Sequence, residues 1–395
     1  MTELKNNIFY VGVKDPTMRV FDIIMKTEYG STYNSYIVRG EKTALIECVH
    51  EKFADRFIKN IEEILPIKDI DYIICNHTEP DHSGSVKKLI EINPEITVIG
   101  TIAAIKNLKE ITNMTFNEKI AKDGETLDLG AGMELKFIIT PNLHWPDTMM
   151  TYLPLAETLF SCDVFGAHYC EDTVTDTDIV YYDKYERAFK AYYDCIISPF
   201  SDFAAKALEK LADLPADMIC TSHGPVLKKY VKEAFDKYAE WSKPNMNEKR
   251  SLAVFYVSAY GYTREMANII AGTAAEKNME VSIFDIQESS AEEMSAALNN
   301  AGALAFGSPT INRNALKPVW DIISQLDTVN RKGTPCIVFG SYGWSGEALG
   351  YLHSHLEMLR LKPFEKPFGS VFKPSAENKA QLKEYTERFI DSLNN

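Results

Sequence analysis

The sequence lacks the features of several protein classes. Its 42 Lys and Arg residues are outnumbered by 56 Asp and Glu residues, which gives a net charge of −14. Because binding to nucleic-acid phosphates requires a basic surface, this balance argues against a nucleic-acid partner. No uncharged apolar run approaches the roughly 20 residues that a membrane helix needs, and no secretion-signal pattern opens the sequence. We therefore predict a cytoplasmic protein with neither a nucleic-acid nor a membrane partner.

The seven cysteines are scattered, and none forms a C-x-x-C pair. This spacing favours neither a disulfide framework nor a cysteine-ligated zinc or iron–sulfur site. It is typical of small buried side chains in a reducing compartment.

At 395 residues the chain is too long for one ordinary core, and its two halves differ in pattern. In the first half, apolar segments such as 43–48, 71–75 and 157–162 lead into polar loops, several of which carry His or Asp. This predicts a mixed sheet whose strand ends converge on one site, with helices on its faces. The polar, Pro-containing stretch 241–250 is typical of a linker. After it, strands and helices alternate strictly, which predicts a doubly wound parallel sheet.

One segment, NHTEPDHSGS at 76–85, places four metal-ligand side chains within six positions. Three further candidates follow at predicted strand ends. The seven candidates are His77, Glu79, Asp81, His82, His144, Asp163 and His223. Four imidazoles and three carboxylates are enough for two metal ions that share a bridging group.

The H-x-E-x-D-H loop, with the later His, Asp and His, resembles the metallo-β-lactamase-like domain of the flavodiiron proteins (A-type flavoproteins). In hydrolytic relatives of that fold the third position of the motif is normally His, and the metal is zinc. Here it is Glu79. An anionic oxygen in place of a neutral imidazole shifts the site toward harder ligands and better balances two iron ions as they are oxidised. The glutamate therefore indicates a redox site rather than a hydrolytic one.

The resemblance implies an α/β protein with an N-terminal metallo-β-lactamase-like αββα sandwich, residues 1–248, and a flavodoxin-like doubly wound parallel sheet, residues 249–395. It also implies a division of the metal ligands. The iron nearer the flavin takes His77, Glu79 and His144, the other iron takes Asp81, His82 and His223, and Asp163 bridges the two.

Three more side chains are candidates for the surroundings of the diiron pocket. His168 follows Asp163 by five residues, and an ordinary loop histidine is the alternative interpretation. The family places a tyrosine near the pocket, and the sequence does not choose between Tyr192 and Tyr193.

Three loops of the second half predict an FMN site. SAYGYT follows the first strand and precedes a helix, where a flavodoxin-like fold binds the phosphate through backbone N–H groups and short hydroxyl side chains. SPTINRN and SYGWSGE follow later strands and resemble the isoalloxazine-contacting loops of flavodiiron proteins. No G-x-G-x-x-G motif is present, which disfavours a dinucleotide. The predicted contacts are Ser258, Ala259, Tyr260, Gly261, Tyr262, Thr263, Pro309, Thr310, Ile311, Asn312, Ser341, Tyr342, Gly343, Trp344, Ser345 and Gly346.

The resemblance covers nearly the whole chain and implies reduction of dioxygen to water, of nitric oxide to nitrous oxide, or of both. Electrons would pass from an external donor, a rubredoxin or a reduced deazaflavin, through FMN to the two Fe ions. A head-to-tail homodimer, or a dimer of such dimers, would place the FMN of one subunit beside the diiron site of the other. The alternatives are a metallo-β-lactamase-fold zinc hydrolase with an appended flavodoxin domain and a flavodoxin-type electron carrier.

Overall fold

A computed structural model describes residues 2–5, 7–22, 25–243 and 250–393. Its contacts divide the chain into two compact units, Met1–Pro244 and Asn245–Asn395. The predicted domain boundary at 248/249 and most of the predicted linker lie outside the described residues. All seven cysteines lie within the described ranges and are free thiols, five of them buried. Among the helices of these ranges, none has both the length and the apolar character needed to cross a membrane.

The first unit contains strands and helices in a mixed order. Its strands are β1 (Thr2–Lys5), β2 (Ile8–Tyr10), β3 (Val13–Asp15), β4 (Val20–Phe21), β5 (Met25–Lys26), β6 (Ser31–Tyr33), β7 (Tyr36–Arg39), β8 (Thr43–Ile46), β9 (Tyr72–Ile74), β10 (Thr97–Gly100), β11 (Asn117–Ile120), β12 (Thr126–Asp128), β13 (Glu134–Ile139), β14 (Met149–Leu153), β15 (Thr158–Cys162) and β16 (Met218–Thr221). Its helices are α1 (Ala54–Glu62), α2 (Pro80–Ser83), α3 (Val86–Ile92), α4 (Ile102–Thr112), α5 (Tyr182–Tyr192), α6 (Ser201–Leu211) and α7 (Val231–Trp241). A π-helical turn, Tyr193–Ile197, follows α5 directly.

Two stacked sheets form the centre of this unit. Seven strands pair in the order β1-β2-β7-β8-β9-β10-β11, and five pair in the order β12-β13-β14-β15-β16. Tyr36, Phe137 and Phe160 belong to the apolar core between the sheets. Side chains of α1, α3 and α4 pack on the outer face of the first sheet, and side chains of α5, α6 and α7 pack on that of the second. The αββα sandwich is therefore confirmed. The single mixed sheet suggested by the residue pattern is two sheets, because alternation along one strand does not show which strands share a sheet.

Apolar spacing accounts for the helices on these faces. In α1 the buried residues Ala54, Phe57 and Ile61 recur at intervals of three and four, so they form one stripe toward the sheet. The sequence reading missed α4, which begins at an N-cap. There the Thr101 hydroxyl accepts a hydrogen bond from the backbone N–H of Ala104 at 3.1 Å.

The second unit alternates strands and helices. Its elements are β17 (Ser251–Tyr256), α8 (Tyr262–Glu276), β18 (Glu280–Asp285), α9 (Ala291–Asn300), β19 (Ala303–Gly307), β20 (Thr310–Ile311), β21 (Asn314–Ala315), α10 (Lys317–Ile323), β22 (Pro335–Tyr342), α11 (Glu347–Met358), β23 (Lys362–Pro363), β24 (Phe368–Val371) and α12 (Ala376–Ser392). The main sheet has the order β18-β17-β19-β22, and both β23 and β24 pair with β22. All these pairings are parallel, which confirms the doubly wound sheet of a flavodoxin-like fold.

The core of the second unit depends on Phe255 in β17. Its ring is fully buried and stacks on Phe284 and Phe306, with centroids 5.2 and 5.7 Å apart.

We expect Phe255→Ala to lower the free energy of unfolding of this unit by about 3–5 kcal/mol, because the lost ring leaves a cavity. Denaturant unfolding followed by circular dichroism measures this change. The control Ile283→Ala removes a 40% exposed side chain and should cost less than about 1 kcal/mol. Equal losses in the two variants would contradict the prediction.

Candidate metal centre and flavin pocket

The structure brings all seven predicted ligand side chains into one buried cluster. Four of them come from the loop after β9 and from the short helix α2, and three come from loops that follow β13, β15 and β16. Within the cluster, sets of three donor atoms lie within 4.8 Å of one another, the spacing expected of groups that can share a metal ion. These donors are His77, Glu79, Asp81, His82, His144, Asp163 and His223.

The carboxylate of Asp163 lies between two pairs of imidazoles. Its Oδ2 atom is 3.8 Å from Nε2 of His77 and 3.6 Å from Nε2 of His144, which form the first imidazole pair. Its Oδ1 atom is 3.2 Å from Nε2 of His82 and 3.6 Å from Nε2 of His223, the second imidazole pair. One oxygen therefore faces each pair, as a bridging carboxylate requires.

Each imidazole pair has a second carboxylate of its own. The Oε2 atom of Glu79 is 3.3 and 3.0 Å from the Nε2 atoms of the first pair. The Oδ1 and Oδ2 atoms of Asp81 are 3.5 and 3.1 Å from the Nε2 atoms of the second pair. The geometry thus divides the donors into two groups of three with Asp163 between them.

Two of the imidazoles are hydrogen-bonded to carboxylates through their Nδ1 atoms. Nδ1 of His77 lies 3.1 Å from Oδ2 of Asp147, and Nδ1 of His82 lies 3.1 Å from Oε2 of Glu47. A carboxylate that accepts a hydrogen bond from Nδ1 leaves Nε2 as the ligand atom, directed into the cluster.

A backbone carbonyl group orients His223 in the same way. Its Nδ1 donates to the carbonyl oxygen of Thr32 at 2.6 Å, which again leaves Nε2 toward the other donors. The residue after it, Gly224, has φ of +82°, and a Cβ there would lie 2.8 Å from the carbonyl oxygen of Ala167. A glycine at this turn therefore helps to bring His223 to the cluster.

Sequence reasoning missed three acidic residues at this site. Glu47 follows β8 with a left-handed backbone, φ +60°, and Asp147 follows His144 by three residues. The only signal for either was its place after an apolar segment or near a ligand. Asp22, at the turn between β4 and β5, lies beside Glu79. Partial burial of its carboxyl group and the nearby Glu79 carboxylate raise the pKa of Asp22 to about 6.

Imidazole charges balance the carboxylates of the cluster. Burial opposes ionisation of Asp163, but His82 and His77 hold its pKa well below the ordinary value. Burial also opposes protonation of His77, but hydrogen bonds to Asp147 and Glu79 raise its pKa to about 9. Because a metal ion would take the place of such protons, the site is built to exchange imidazolium charge for metal charge.

The three residues predicted to lie near the site, His168, Tyr192 and Tyr193, make different contacts. The Tyr192 hydroxyl donates to Oδ1 of Asp163 at 2.8 Å, and burial raises its pKa well above the ordinary value, so it remains a donor. The Tyr193 hydroxyl instead hydrogen-bonds to Ser242 at 3.0 Å, away from the cluster. His168 is buried with its ring 5.1 Å from that of His223, and burial lowers its pKa to about 3, so it is neutral.

In the second unit, a cavity of about 530 Å³ lies among the three predicted flavin loops. Twelve of the sixteen predicted contacts line it. Arg313, Glu347 and Phe372 also line it and were not predicted. The twelve are Ala259, Tyr260, Tyr262, Pro309, Thr310, Ile311, Asn312, Ser341, Tyr342, Gly343, Trp344 and Ser345.

The four remaining predicted contacts are not among the residues that line the cavity. The Ser258 hydroxyl accepts a hydrogen bond from the backbone N–H of Arg264 at 3.2 Å, and Thr263 is hydrogen-bonded to Ser341 at 3.2 Å. Gly261 precedes α8 with φ of +82°. A Cβ at Gly346 would lie 2.8 Å from the Tyr342 ring, so this glycine supports the wall rather than lining it.

Comparisons with known proteins agree with both units. The model of the ODP family beta lactamase matches residues 31–224, and the flavodoxin model matches residues 254–384. The flavo-diiron protein FprA2 of Clostridium acetobutylicum is 42% identical over 396 residues, which cover 99% of each chain. The chain belongs to the flavodiiron proteins.

Solved structures of flavodiiron proteins share the two-domain fold. The rubredoxin oxygen:oxidoreductase of Desulfovibrio gigas superposes with a TM-score of 0.74 at 27% identity, covering 100% of this chain and 98% of that one. The flavodiiron protein of Giardia intestinalis gives a TM-score of 0.70 at 27% identity, covering 99% and 98%. Flavodiiron proteins are oxidoreductases, known as dioxygen and nitric oxide reductases.

A flavodiiron protein has a diiron site in its β-lactamase-like domain, and its flavodoxin domain implies FMN. The residues present fit both groups. Among the described residues, no hydroxyl, amide or backbone N–H donates to the buried Asp81 carboxylate, whose oxygens face the Nε2 atoms of His82 and His223; such burial is costly unless a cation is bound. Oxygen and imidazole donors together suit iron. In the flavin cavity, Oγ1 of Thr310 also lacks a partner within the described part of the chain, as expected of a group that contacts a polar ligand.

The anchoring of His77 gives a test of this flavodiiron centre. We expect Asp147→Asn to weaken iron binding about 10- to 100-fold, because an amide holds the imidazole less firmly and lowers its basicity. Iron retained against a competing chelator measures the change. Asp123→Asn, at an exposed ion pair with Lys210, is the matched control and should leave iron retention unchanged. Equal retention in the two variants would show that the anchoring carboxylate does not support the metal.

Proposed function

We propose that this flavodiiron protein reduces dioxygen to water, nitric oxide to nitrous oxide, or both, with electrons that pass from an external donor through FMN to a diiron site. The observation that carries the proposal is the arrangement around Asp163, in which each carboxylate oxygen faces one imidazole pair. The presence of Glu79 on the first pair supports iron rather than zinc, because it adds an anionic oxygen to the donor set.

The proposed ligands follow the two groups of donors. One iron would be held by His77, Glu79 and His144 and the other by Asp81, His82 and His223, with Asp163 shared between them. The proposed FMN contacts are the three loops of the second unit, with the cavity-lining residues of 309–312 and 341–345 toward the ring and the loop before α8 toward the phosphate.

Two ferrous ions and a reduced FMN hold four electrons, enough to convert dioxygen and four protons into two water molecules, and two electrons convert two nitric oxide molecules and two protons into nitrous oxide and water. The chain's own residues position this chemistry. Tyr192 fixes the orientation of Asp163 by donating to Oδ1, and the carboxylates behind His77 and His82 fix two imidazole rings. Burial of the cluster excludes bulk water from it.

The proposed partners are an external electron donor, either a rubredoxin or a reduced deazaflavin, and a second copy of the chain. We propose a head-to-tail homodimer, or a dimer of such dimers, in a reducing cytoplasm where the seven thiols stay free. If two chains share each electron path, the rate per chain falls when dilution separates them. An unchanged rate per chain in a monomer would exclude the shared path, and rates of flavin reduction with each donor choose between the donors.

The proposed reaction is tested by rapid mixing. Protein of known iron and FMN content is reduced without oxygen and mixed with dioxygen or, separately, with nitric oxide. We expect fast flavin oxidation with at least one gas, and a loss of about 100-fold or more in Glu79→Ala, because the site then lacks a ligand. Glu91→Ala, at an exposed position on α3, is the control and should react like the unaltered protein.

Other outcomes favour other functions. Slow flavin oxidation with peroxide release and no nitric oxide consumption would favour an electron carrier. Bound zinc with ester or lactam hydrolysis, together with inert flavin, would favour the hydrolase. Either result would contradict the proposed reductase.

A further inference from the structure

A cavity of about 560 Å³ lies beside the cluster of metal-ligand side chains in the first unit. Its floor contains His168 and Tyr192, which are only 8% and 4% exposed, whereas rim residues such as Val20 are about half exposed, at 52%. Ala191 on α5 and Cys195 in the π-helical turn form part of its wall. Such turns are frequent at functional sites.

A single layer of side chains lies between this cavity and the donor cluster. Tyr192 lines the cavity and its hydroxyl also donates to Asp163 at 2.8 Å. His168 lines the cavity and its ring is 5.1 Å from the ring of His223 and 4.9 Å from that of Tyr192. These two rings therefore lie between the cavity and the donor cluster.

Two polar atoms at the cavity have no partner in the described structure. Nδ1 of His168 is hydrogen-bonded to the Ser31 hydroxyl at 2.8 Å, but its Nε2 atom is buried and unpaired. Oγ1 of Thr27 is also buried and unpaired. Both atoms belong to residues that line the cavity, but the atoms themselves are buried beneath its surface.

The lining of the cavity distinguishes between neutral and anionic occupants. Most of its surface is apolar, from side chains that include Met25, Tyr29 and Ala188. The cations of the lining, Arg19, Lys26 and Arg187, would attract an anion, but the lining also carries the acidic Glu28, and both guanidinium groups are already engaged. Arg19 donates to the carbonyls of residues 16 and 18 at 2.9 and 2.7 Å, and Arg187 pairs with Asp183 at 3.1 Å. An apolar occupant therefore fits better than an anion.

We propose that this cavity collects apolar diatomic gas and delivers it to the metal centre past His168 and Tyr192. The inference rests on the proposed reduction of dioxygen or nitric oxide. Neutral apolar molecules gain by leaving water for an apolar surface, and apolar cavities of about 150 Å³ take up xenon. A volume of about 560 Å³ far exceeds the ~30 Å³ occupied by one water molecule, so the cavity has room for several small molecules.

Xenon tests the cavity without any reaction. Crystals of the full-length protein are pressurised with xenon, and the anomalous signal is located. We expect xenon between α5 and the β4–β5 hairpin, and its loss in Ala191→Trp and in Val20→Trp, which fill the cavity from two different elements. Ala212→Trp, at an exposed alanine beyond α6, should retain it. Absence of xenon from the cavity of the unaltered protein would overturn the proposal, and so would bromide bound there in its place, which would assign the cavity to anions.

Gas kinetics test delivery separately. In both filling variants we expect the KM for the gas to rise about five-fold or more while kcat, iron content and flavin reduction by the donor change less than about two-fold. An unchanged KM in both variants would overturn the proposal even if xenon binds. Failure of the unaltered, iron-loaded protein to consume either gas would instead refute the proposed function, and the xenon result would be unaffected by it.

Discussion

The two oxygens of the Asp163 carboxylate face different imidazole pairs, and much of the first unit is arranged around this buried group. A carboxylate at 1% exposure is stable only if positive charge surrounds it. Residues of the same turn also fix its position. A Cβ at Gly166 would lie 3.2 Å from the Tyr192 ring, so the glycine leaves room for the tyrosine that donates to Asp163. The backbone N–H of Phe165 donates to the Tyr238 hydroxyl at 2.9 Å, which ties the same turn to α7.

The seven ligand candidates could be read from the sequence because they follow strand signals. Apolar segments locate strand ends, and the ends of neighbouring strands meet at one edge, so His or Asp residues just beyond them are expected to converge. For Glu47, Asp147 and Asp22 this signal was weak or absent, because Glu47 lies at the end of a single apolar segment and Asp147 is marked only by its nearness to His144. Each is a single acidic residue in an ordinary context, and its contact with the site depends on how distant loops fold together.

The sequence alone could not show which of the adjacent residues Tyr192 and Tyr193 faces the cluster. Tyr192 and Tyr193 differ by about 100° around the helix axis, so only one can face the cluster, and the π-helical turn that begins at Tyr193 shifts the register in a way that periodicity does not reveal. The flavin loops show a related limit. Loop order in a parallel sheet predicted which segments meet at the cavity, but not that Thr263 and Gly346 would support the wall from behind.

The seven donors also differ in the sheet that carries them. His77, Glu79, Asp81 and His82 follow β9 of the seven-stranded sheet, whereas the other three follow strands of the five-stranded sheet. Each proposed metal ion takes ligands from both. Bound metal would then act as a cross-link between the halves of the sandwich, and its binding energy would add to the stability of the folded state. The cell's supply of iron would therefore influence how long this domain survives proteolysis as well as how fast it reacts.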